Sequence, residues 1–300
     1  MSDFVQQNSF ICSFNSSDNW TILSPIEQSI KSKIDAVGIP LKNWDIKINF
    51  GIKTGYNDAF IIDSFTKEKL IAEDPRSAEI IRPILRGRDI KRYGYKYADL
   101  WLISTFPSKN YNIDDYPAIK NYLLSFGKER LEQSGKTYIV NGTKIKARKK
   151  TNNKWFETQD SISYWDEFSK QKIVWSRLSR ISKNDFEDFP RFSLVPEDYV
   201  MLDSLCFFTG SDLEILVHLL NSKYASYYFF NNVAILDNGG MQMRQQFVEN
   251  IPLPQNLKNI DFSKDISIDD VIFKAFGFNS IEINYIDDFL KNKKIEISQR

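Results

Sequence analysis

Every long apolar run in this 300-residue chain is broken by polar side chains, which leaves no segment fit for a membrane helix. The longest, Leu213–Tyr228, carries Glu214, His218, Asn221 and Lys223, whereas a membrane helix needs about 20 apolar residues in succession. The chain is not expected to span a bilayer. Hydrophobic residues make up 42% and charged residues 26%, the composition of a globular chain of one large or two ordinary domains. Aromatic residues reach 14% while Gly and Pro number only 12 and 10, which excludes a collagen-like, disordered or low-complexity chain. The opening Met1-Ser2-Asp3-Phe4-Val5-Gln6-Gln7-Asn8 lacks a basic stretch followed by an apolar one, so no secretory signal is read and a cytoplasmic location is expected.

Ser24-Pro25-Ile26-Glu27 combines an N-cap, a proline in the first helical turn and a capping-box Glu, predicting a helix over about 25–37. Trp44–Phe50 alternates apolar and polar residues; Gly51–Asp58 then reads as a turn before Ala59-Phe60-Ile61-Ile62, giving a strand, turn, strand unit. Further strands are predicted at Ile80–Leu85, Leu100–Ser104, Lys172–Trp175, Phe192–Val195 and Leu205–Thr209, and a helix over Asp115–Leu131. Ser211-Asp212-Leu213-Glu214 reads as a second capping box opening one long helix. After Ile251-Pro252-Leu253-Pro254 come short acidic amphipathic helices, roughly Asp269–Phe276 and Ser280–Leu290. The expected class is α+β: a mixed, irregular sheet core with packed helices and an α-helical C-terminal extension. The expected division is a helical lead-in (1–43), a central domain (44–255) and an acidic helical segment (256–300).

No two glycines stand as G-x-G, which removes the dinucleotide fingerprint and the similar loop of S-adenosylmethionine-binding methyltransferases. Gly51-Ile52-Lys53-Thr54-Gly55 has a Lys-Thr pair but not the G-x-x-x-x-G-K-[ST] order of a nucleotide-triphosphate loop. No proline follows another, so a [DN]-P-P-[YFW] pocket for an exocyclic amine is missing too. His218, the single histidine, has no His or Cys near it and is expected to be a helix residue satisfied within the fold. Cys12 and Cys206 sit in apolar surroundings, without metal-ligand spacing, and are expected to be buried free thiols. The alternative, a self-sufficient Mg²⁺-dependent endonuclease with a disguised acidic site, finds its nearest match in Asp74, Asp89 and Lys91. Its weakness is that Asp89 stands in Arg86-Gly87-Arg88-Asp89, where two cations dilute a metal-binding potential.

The net charge of +1 conceals a split. Residues 82–150 hold 16 Lys and Arg against 6 Asp and Glu, and the other 231 hold 24 against 33. Arg82, Arg86, Arg88, Lys91, Arg92 and Lys96 interleave with Tyr93, Tyr95 and Tyr97; Lys144, Lys146, Arg148, Lys149 and Lys150 precede Trp155. Such cations neutralise phosphates, and Arg, Asn and Gln pair with base edges. Asn141-Gly142 predicts a turn that would project the second run on a hairpin or loop. Composition thus points to a nucleic-acid-binding module without its own catalytic apparatus.

The residues also resemble a known family. Trp44-Asp45-Ile46-Lys47-Ile48 leads into Gly51-Ile52-Lys53-Thr54-Gly55-Tyr56-Asn57-Asp58-Ala59-Phe60, followed by Ile81-Arg82-Pro83-Ile84-Leu85-Arg86-Gly87-Arg88-Asp89-Ile90-Lys91-Arg92-Tyr93. Lys154-Trp155-Phe156-Glu157-Thr158-Gln159, Lys172-Ile173-Val174-Trp175, Leu219-Leu220-Asn221-Ser222-Lys223 and Ile251-Pro252-Leu253-Pro254 come next in order. Over about residues 20–255 the chain resembles the TaqI-like C-terminal specificity domain, or target recognition domain, of type IIG restriction–modification enzymes and N6-adenine DNA methyltransferases.

The resemblance implies sequence-specific recognition of double-stranded DNA, with methyl transfer and cleavage belonging to another domain or subunit. It implies no cofactor in this chain, S-adenosylmethionine and Mg²⁺ being expected only in the catalytic partner. The Gly51–Phe60 turn would lie near the DNA backbone, with Lys53 and Thr54 as phosphate contacts. In Arg86-Gly87-Arg88-Asp89 one Arg would reach DNA while Asp89 orients it, or forms a purely structural ion pair. Arg177, Arg180, Lys183 and Asn184 after the 172–175 strand are candidates for base reading. Gln242 and Arg244, after Asn238-Gly239-Gly240, are a second set, unless they only cap the next helix. The acidic helices of 261–290 would dock a basic partner such as the catalytic subunit.

Overall fold

A computed structural model describes residues 23–236, 239–257 and 267–299. Cys12, the first eight residues and Asn238 lie outside the described residues. Helix α1 (Pro25–Val37) starts where its sequence predicts. Ser24 Oγ accepts the Glu27 N–H at 3.4 Å, and the Glu27 carboxylate accepts the Ser24 N–H at 2.7 Å. β1 (Gly38–Pro40), β2 (Ile46–Phe50), β3 (Ile61–Asp63), α2 (Ser64–Glu73), β4 (Ile81–Leu85) and β5 (Leu100–Ile103) follow. Then come α3 (Pro117–Leu124), the hairpin β6 (Thr137–Val140) and β7 (Thr143–Lys146), β8 (Lys172–Ser176), β9 (Ser179–Arg180) and β10 (Phe192–Val195). The chain continues with β11 (Val200–Met201), β12 (Leu205–Gly210), α4 (Leu213–Leu220), α5 (Lys223–Asn232), β13 (Gly240–Met241) and β14 (Pro252–Pro254). It closes with α6 (Ile268–Phe276) and α7 (Ser280–Ser298). This is the expected α+β mixture.

An antiparallel sheet in the order β10-β8-β12-β2 separates two apolar cores. Ile173, Trp175, Phe192, Cys206 and Phe208 face the first core, which they share with α1 and α4 to α7. Val174, Val195, Leu205 and Phe207 face the second, which they share with the sheet β11-β4-β5-β3. Burial on both faces is why Ile173-Val174-Trp175 and Leu205–Phe208 read as continuous apolar runs rather than alternating ones. Leu41 and Trp44, and Leu253 and Leu257, all belong to the first core, so the boundaries expected near 43 and 255 both fall inside it. The C-terminal helices are tied back to α1. Glu282 of α7 accepts from Ser29 Oγ at 2.6 Å and Lys33 Nζ at 2.7 Å, and Tyr285 donates to Glu27 at 2.8 Å.

Three local expectations are corrected. β2 and β3 do not form a paired unit: β2 pairs with β12 and β3 with β5, in different sheets. The intervening Asn57–Phe60 is a helical turn. The helix expected over 115–131 is two pieces, Pro117–Leu124 and Lys128–Leu131, broken at Gly127 with φ +84°. The long helix from 211 is also two. Ser211 Oγ donates to Asp45 at 2.8 Å instead of capping, and Asp212 precedes α4 at φ +59° without a side-chain cap bond. Asn221 then ends α4 by bonding both backbone groups of Phe192, at 2.8 and 3.0 Å, and Ser222 caps α5. Buried polar side chains thus override a continuous helical periodicity. Among the described residues no helix is long and apolar enough to cross a membrane.

Candidate nucleic-acid interface

Several chain segments converge on an open cleft of about 720 Å³. They include Arg86–Arg88 after β4, Ser176–Arg180 across the β8–β9 turn, Arg191 before β10, Leu202–Ser204 before β12, and Gln242 and Arg244 after β13. Arg86, Arg88, Arg177, Arg180, Arg191 and Arg244 all line it, and Asp203 is the sole acid among the lining residues. Six guanidiniums against Asp203 in the lining and Asp89 and Asp185 behind it leave a cleft of net positive charge, whose field attracts polyanions.

The six fall into two groups. Arg86 is held by Asp89, with Nε at 3.1 Å and Nη2 at 2.9 Å from its two oxygens. Arg191 is held by Asp185 at 2.6 Å, and Arg177 donates to the Asp203 carbonyl at 3.2 Å and lies over the Phe50 ring. Burial alone would raise the Asp185 carboxyl, but hydrogen bonds from Ser182 and Arg191 outweigh it and hold it below its ordinary value, keeping the pair charged. The side chains of Arg88, Arg180, Arg244 and Gln242 have no hydrogen-bond or ion-pair partner among the described residues. Arg88, Arg180 and Arg244 are exposed. A paired set therefore frames a free set able to bind incoming groups bidentately.

The TaqI-like C-terminal specificity domain model matches residues 82–253, more than half of the chain and including every segment that lines the cleft. The chain belongs to the TaqI-like C-terminal specificity domain family. The fold of this specificity domain is similar to that of the type IIG restriction endonuclease BpuSI, with TM-score 0.52 and 14% identity over 92% of this chain and 34% of that one. It is similar also to the Type IIL restriction-modification enzyme MmeI, solved in complex with DNA, with TM-score 0.54 and 12% identity over 88% of this chain and 37% of that one. The specificity domain thus spans about a third of the length of either. No curated protein matches it.

Several predicted contacts of the specificity domain are structural instead. Thr54 is buried at 1% exposure; its hydroxyl donates to Asn57 at 2.6 Å and accepts the Tyr56 N–H. The glycines of this turn approach protein rather than leaving a face for DNA. A Cβ on Gly51 would lie 2.0 Å from the Leu202 carbonyl oxygen, and Gly55, at φ +79°, packs on Arg148 and Gln159. Arg148, 2% exposed, donates to the carbonyls of Leu131, Thr54, Glu157 and Trp155 at 2.7–2.8 Å. Burial pulls its guanidinium pKa down to about 10 against the raising effect of Glu132 and Glu157. Arg92 donates to the carbonyls of Glu187 and Asn221 and bridges two elements of the fold. None of the three side chains is free to meet a phosphate.

Lys53, Lys91, Lys144, Lys146, Lys149 and Lys150 lie outside the cleft lining. Lys53 is exposed beside it, with Nζ 3.9 Å from Asp203, and borders a hollow of about 370 Å³ that shares Arg177 and Asp203 with the cleft. Lys91 is exposed after Asp89. Lys144 and Lys146 are exposed on β7, and Lys149 and Lys150 just beyond it. The hairpin turns at Asn141 and Gly142, both at positive φ, as the pair predicts. Lys183 and Asn184 open the Lys183–Asp188 turn, where Asn184 is exposed and away from the cleft lining. Arg244 stands at the N-cap of Gln245–Val248, but its side chain makes no cap bond.

Arg191 was not legible as a site residue. It precedes a strand with no neighbouring cation, and only the fold carries it to Arg180, whose carbonyl it also contacts at 3.3 Å. Asp74, Asp89 and His218 have structural partners. Asp74 caps the turn that follows it, and Asp89 is bound on both oxygens by Arg86. His218 packs beside Tyr93 in α4, where burial lowers its pKa, and Cys206 is a buried free thiol pushed up to about 12 by burial.

Proposed function

We propose that this specificity domain recognises a base sequence in double-stranded DNA through the arginine-lined cleft, while methyl transfer and cleavage are carried out by another domain or subunit. The observation that carries this is the separation of the cleft's side chains into paired arginines, which shape it, and Arg88, Arg180, Arg244 and Gln242, which are free. Free guanidiniums supply sequence-independent affinity through phosphates and sequence preference through guanine O6 and N7, and a free glutamine suits adenine N6 and N7. The fold supports the same reading, since MmeI with the similar fold was solved bound to DNA.

On this reading S-adenosylmethionine and Mg²⁺ belong to the catalytic partner, and the chain works where cellular DNA is, in the cytoplasm. The acidic helical stretch within 261–290 would dock that catalytic partner. The test is duplex binding by the purified chain and by Arg88→Ala, Arg180→Ala and Arg244→Ala. Each change is expected to weaken specific binding by about 1–3 kcal/mol if it removes a bidentate base contact. Unaltered affinity in all three would refute the cleft as the interface.

A further inference from the structure

We propose that Leu178 and Gln242 together read one A·T base pair from the major groove, an assignment that rests on the duplex-recognition reading above. β9 and β13 form an antiparallel ribbon with Gly240 opposite Arg180 and Met241 opposite Ser179. Leu178 precedes β9 and Gln242 follows β13, so the two flank the Ser179–Met241 pair at the same end of the ribbon. Side chains along a strand alternate between its faces. Ser179, Met241 and Met243 are buried at 5%, 0% and 2%, and the Met243 carbonyl accepts Trp175 Nε1 at 2.8 Å, so that face is sealed against the core. Leu178, Arg180 and Gln242 alternate with them, and all three line the cleft.

Leu178 is 45% exposed in surroundings dominated by guanidiniums. Its backbone is fixed on both sides: Ser176 Oγ donates to the Leu178 carbonyl at 2.8 Å, and the Arg177 N–H donates to the Ser204 carbonyl at 2.9 Å. The apolar side chain is thus held out toward the cleft by a pinned turn. A two-stranded ribbon fits the major groove of B-DNA, where an A·T pair shows adenine N7 and N6 beside thymine O4 and its C5-methyl group. Both side chains belong to the lining of the same cleft. A free amide beside a branched apolar group matches the adenine edge and the thymine methyl of a single pair.

The test begins with the duplex that the full chain selects from a randomised pool. Each thymine is replaced in turn by deoxyuridine, which removes only the methyl, and each adenine by 7-deazaadenine, which removes N7. Affinities are measured for wild type, Leu178→Ala and Gln242→Ala. At one thymine, loss of the methyl is expected to weaken wild-type binding about fourfold, the worth of one buried methyl group, and to leave Leu178→Ala unaffected. At its paired adenine, loss of N7 is expected to cost wild type on the order of tenfold and Gln242→Ala nothing. Selective binding in which no thymine responds, in which Leu178→Ala keeps the response, or in which the paired adenine is silent overturns the joint reading and leaves duplex recognition standing. Absence of any sequence-selective binding overturns both.

Discussion

Asp89 engages Arg86 three times: its carboxylate accepts Nε at 3.1 Å, Nη2 at 2.9 Å and the Arg86 backbone N–H at 2.8 Å. Asp89 is 3% exposed, so the pair fixes the turn that presents Arg88, two residues away, to the cleft. The two arginines should therefore separate by experiment. Arg86→Ala leaves a buried carboxylate without its cation and is expected to cost about 3 kcal/mol of stability. Arg88→Ala should change stability by less than about 0.5 kcal/mol while weakening DNA binding. Denaturant melts beside duplex titrations check both; equal stability losses would contradict the division of roles.

Arg148 and its neighbours offer a second contrast. Four carbonyls depend on its guanidinium, and Lys has too few donors, in the wrong geometry, to replace it. Arg148→Lys is expected to destabilise the domain by about 3 kcal/mol or more. Lys149→Ala and Lys150→Ala, at exposed positions, should leave stability unchanged. If either lysine meets a phosphate, its loss should also reduce the slope of log affinity against log salt by about 1.

The seam between α1 and α7 gives a pH dependence. Burial pushes the Glu282 carboxyl up, but hydrogen bonds from Lys33, Ser29 and the Asn279 N–H outweigh it and hold it below its ordinary value. A carboxylate depressed in the fold contributes stability above its unfolded value, near 4.3, which is lost as pH falls through the lower folded one. Glu282→Gln should therefore lower stability at pH 7 and flatten the acid limb below about pH 4.3. Melting curves of the two proteins between pH 3 and 7 test this; parallel acid limbs would contradict it.

Cys206, on the central sheet, reports on global opening. Burial holds its thiol pKa near 12, so the native side chain carries almost no thiolate at pH 8 and is sealed from reagents. In a Cys12→Ser background, disulfide-exchange labelling at pH 8 should proceed only at the rate of unfolding. Because the thiol ionises more readily in the unfolded chain, the Cys206 contribution to stability should fall as pH rises above about 9. Rapid labelling of native protein would contradict this burial.

What the sequence made legible follows from how local each signal was. Helix α1 could be placed because Ser24, Pro25 and Glu27 lie within one turn, and the 141–142 turn because Asn-Gly favours positive φ by itself. The split between α4 and α5 was hidden because it depends on Asn221 meeting Phe192, a residue 29 positions away. The candidate site divides the same way. Arg86 and Asp89 announce their pairing at three residues' separation, but nothing local distinguishes Arg148, which is buried, from Lys149, which is exposed. Arg191 and Leu178 acquire meaning only when the fold brings β9, β13 and the 86–88 turn to one cleft.

The central claim is that the free side chains of this cleft select a DNA sequence. The most direct measurement is enrichment from a randomised duplex pool, followed by titration of the selected duplex at two salt concentrations with wild type and with an Arg88→Ala, Arg180→Ala, Arg244→Ala triple variant. One short motif is expected, with wild-type affinity that falls steeply with salt and a triple variant that has lost the motif preference and has a shallower salt slope. A triple variant that selects the same motif with the same affinity would contradict it.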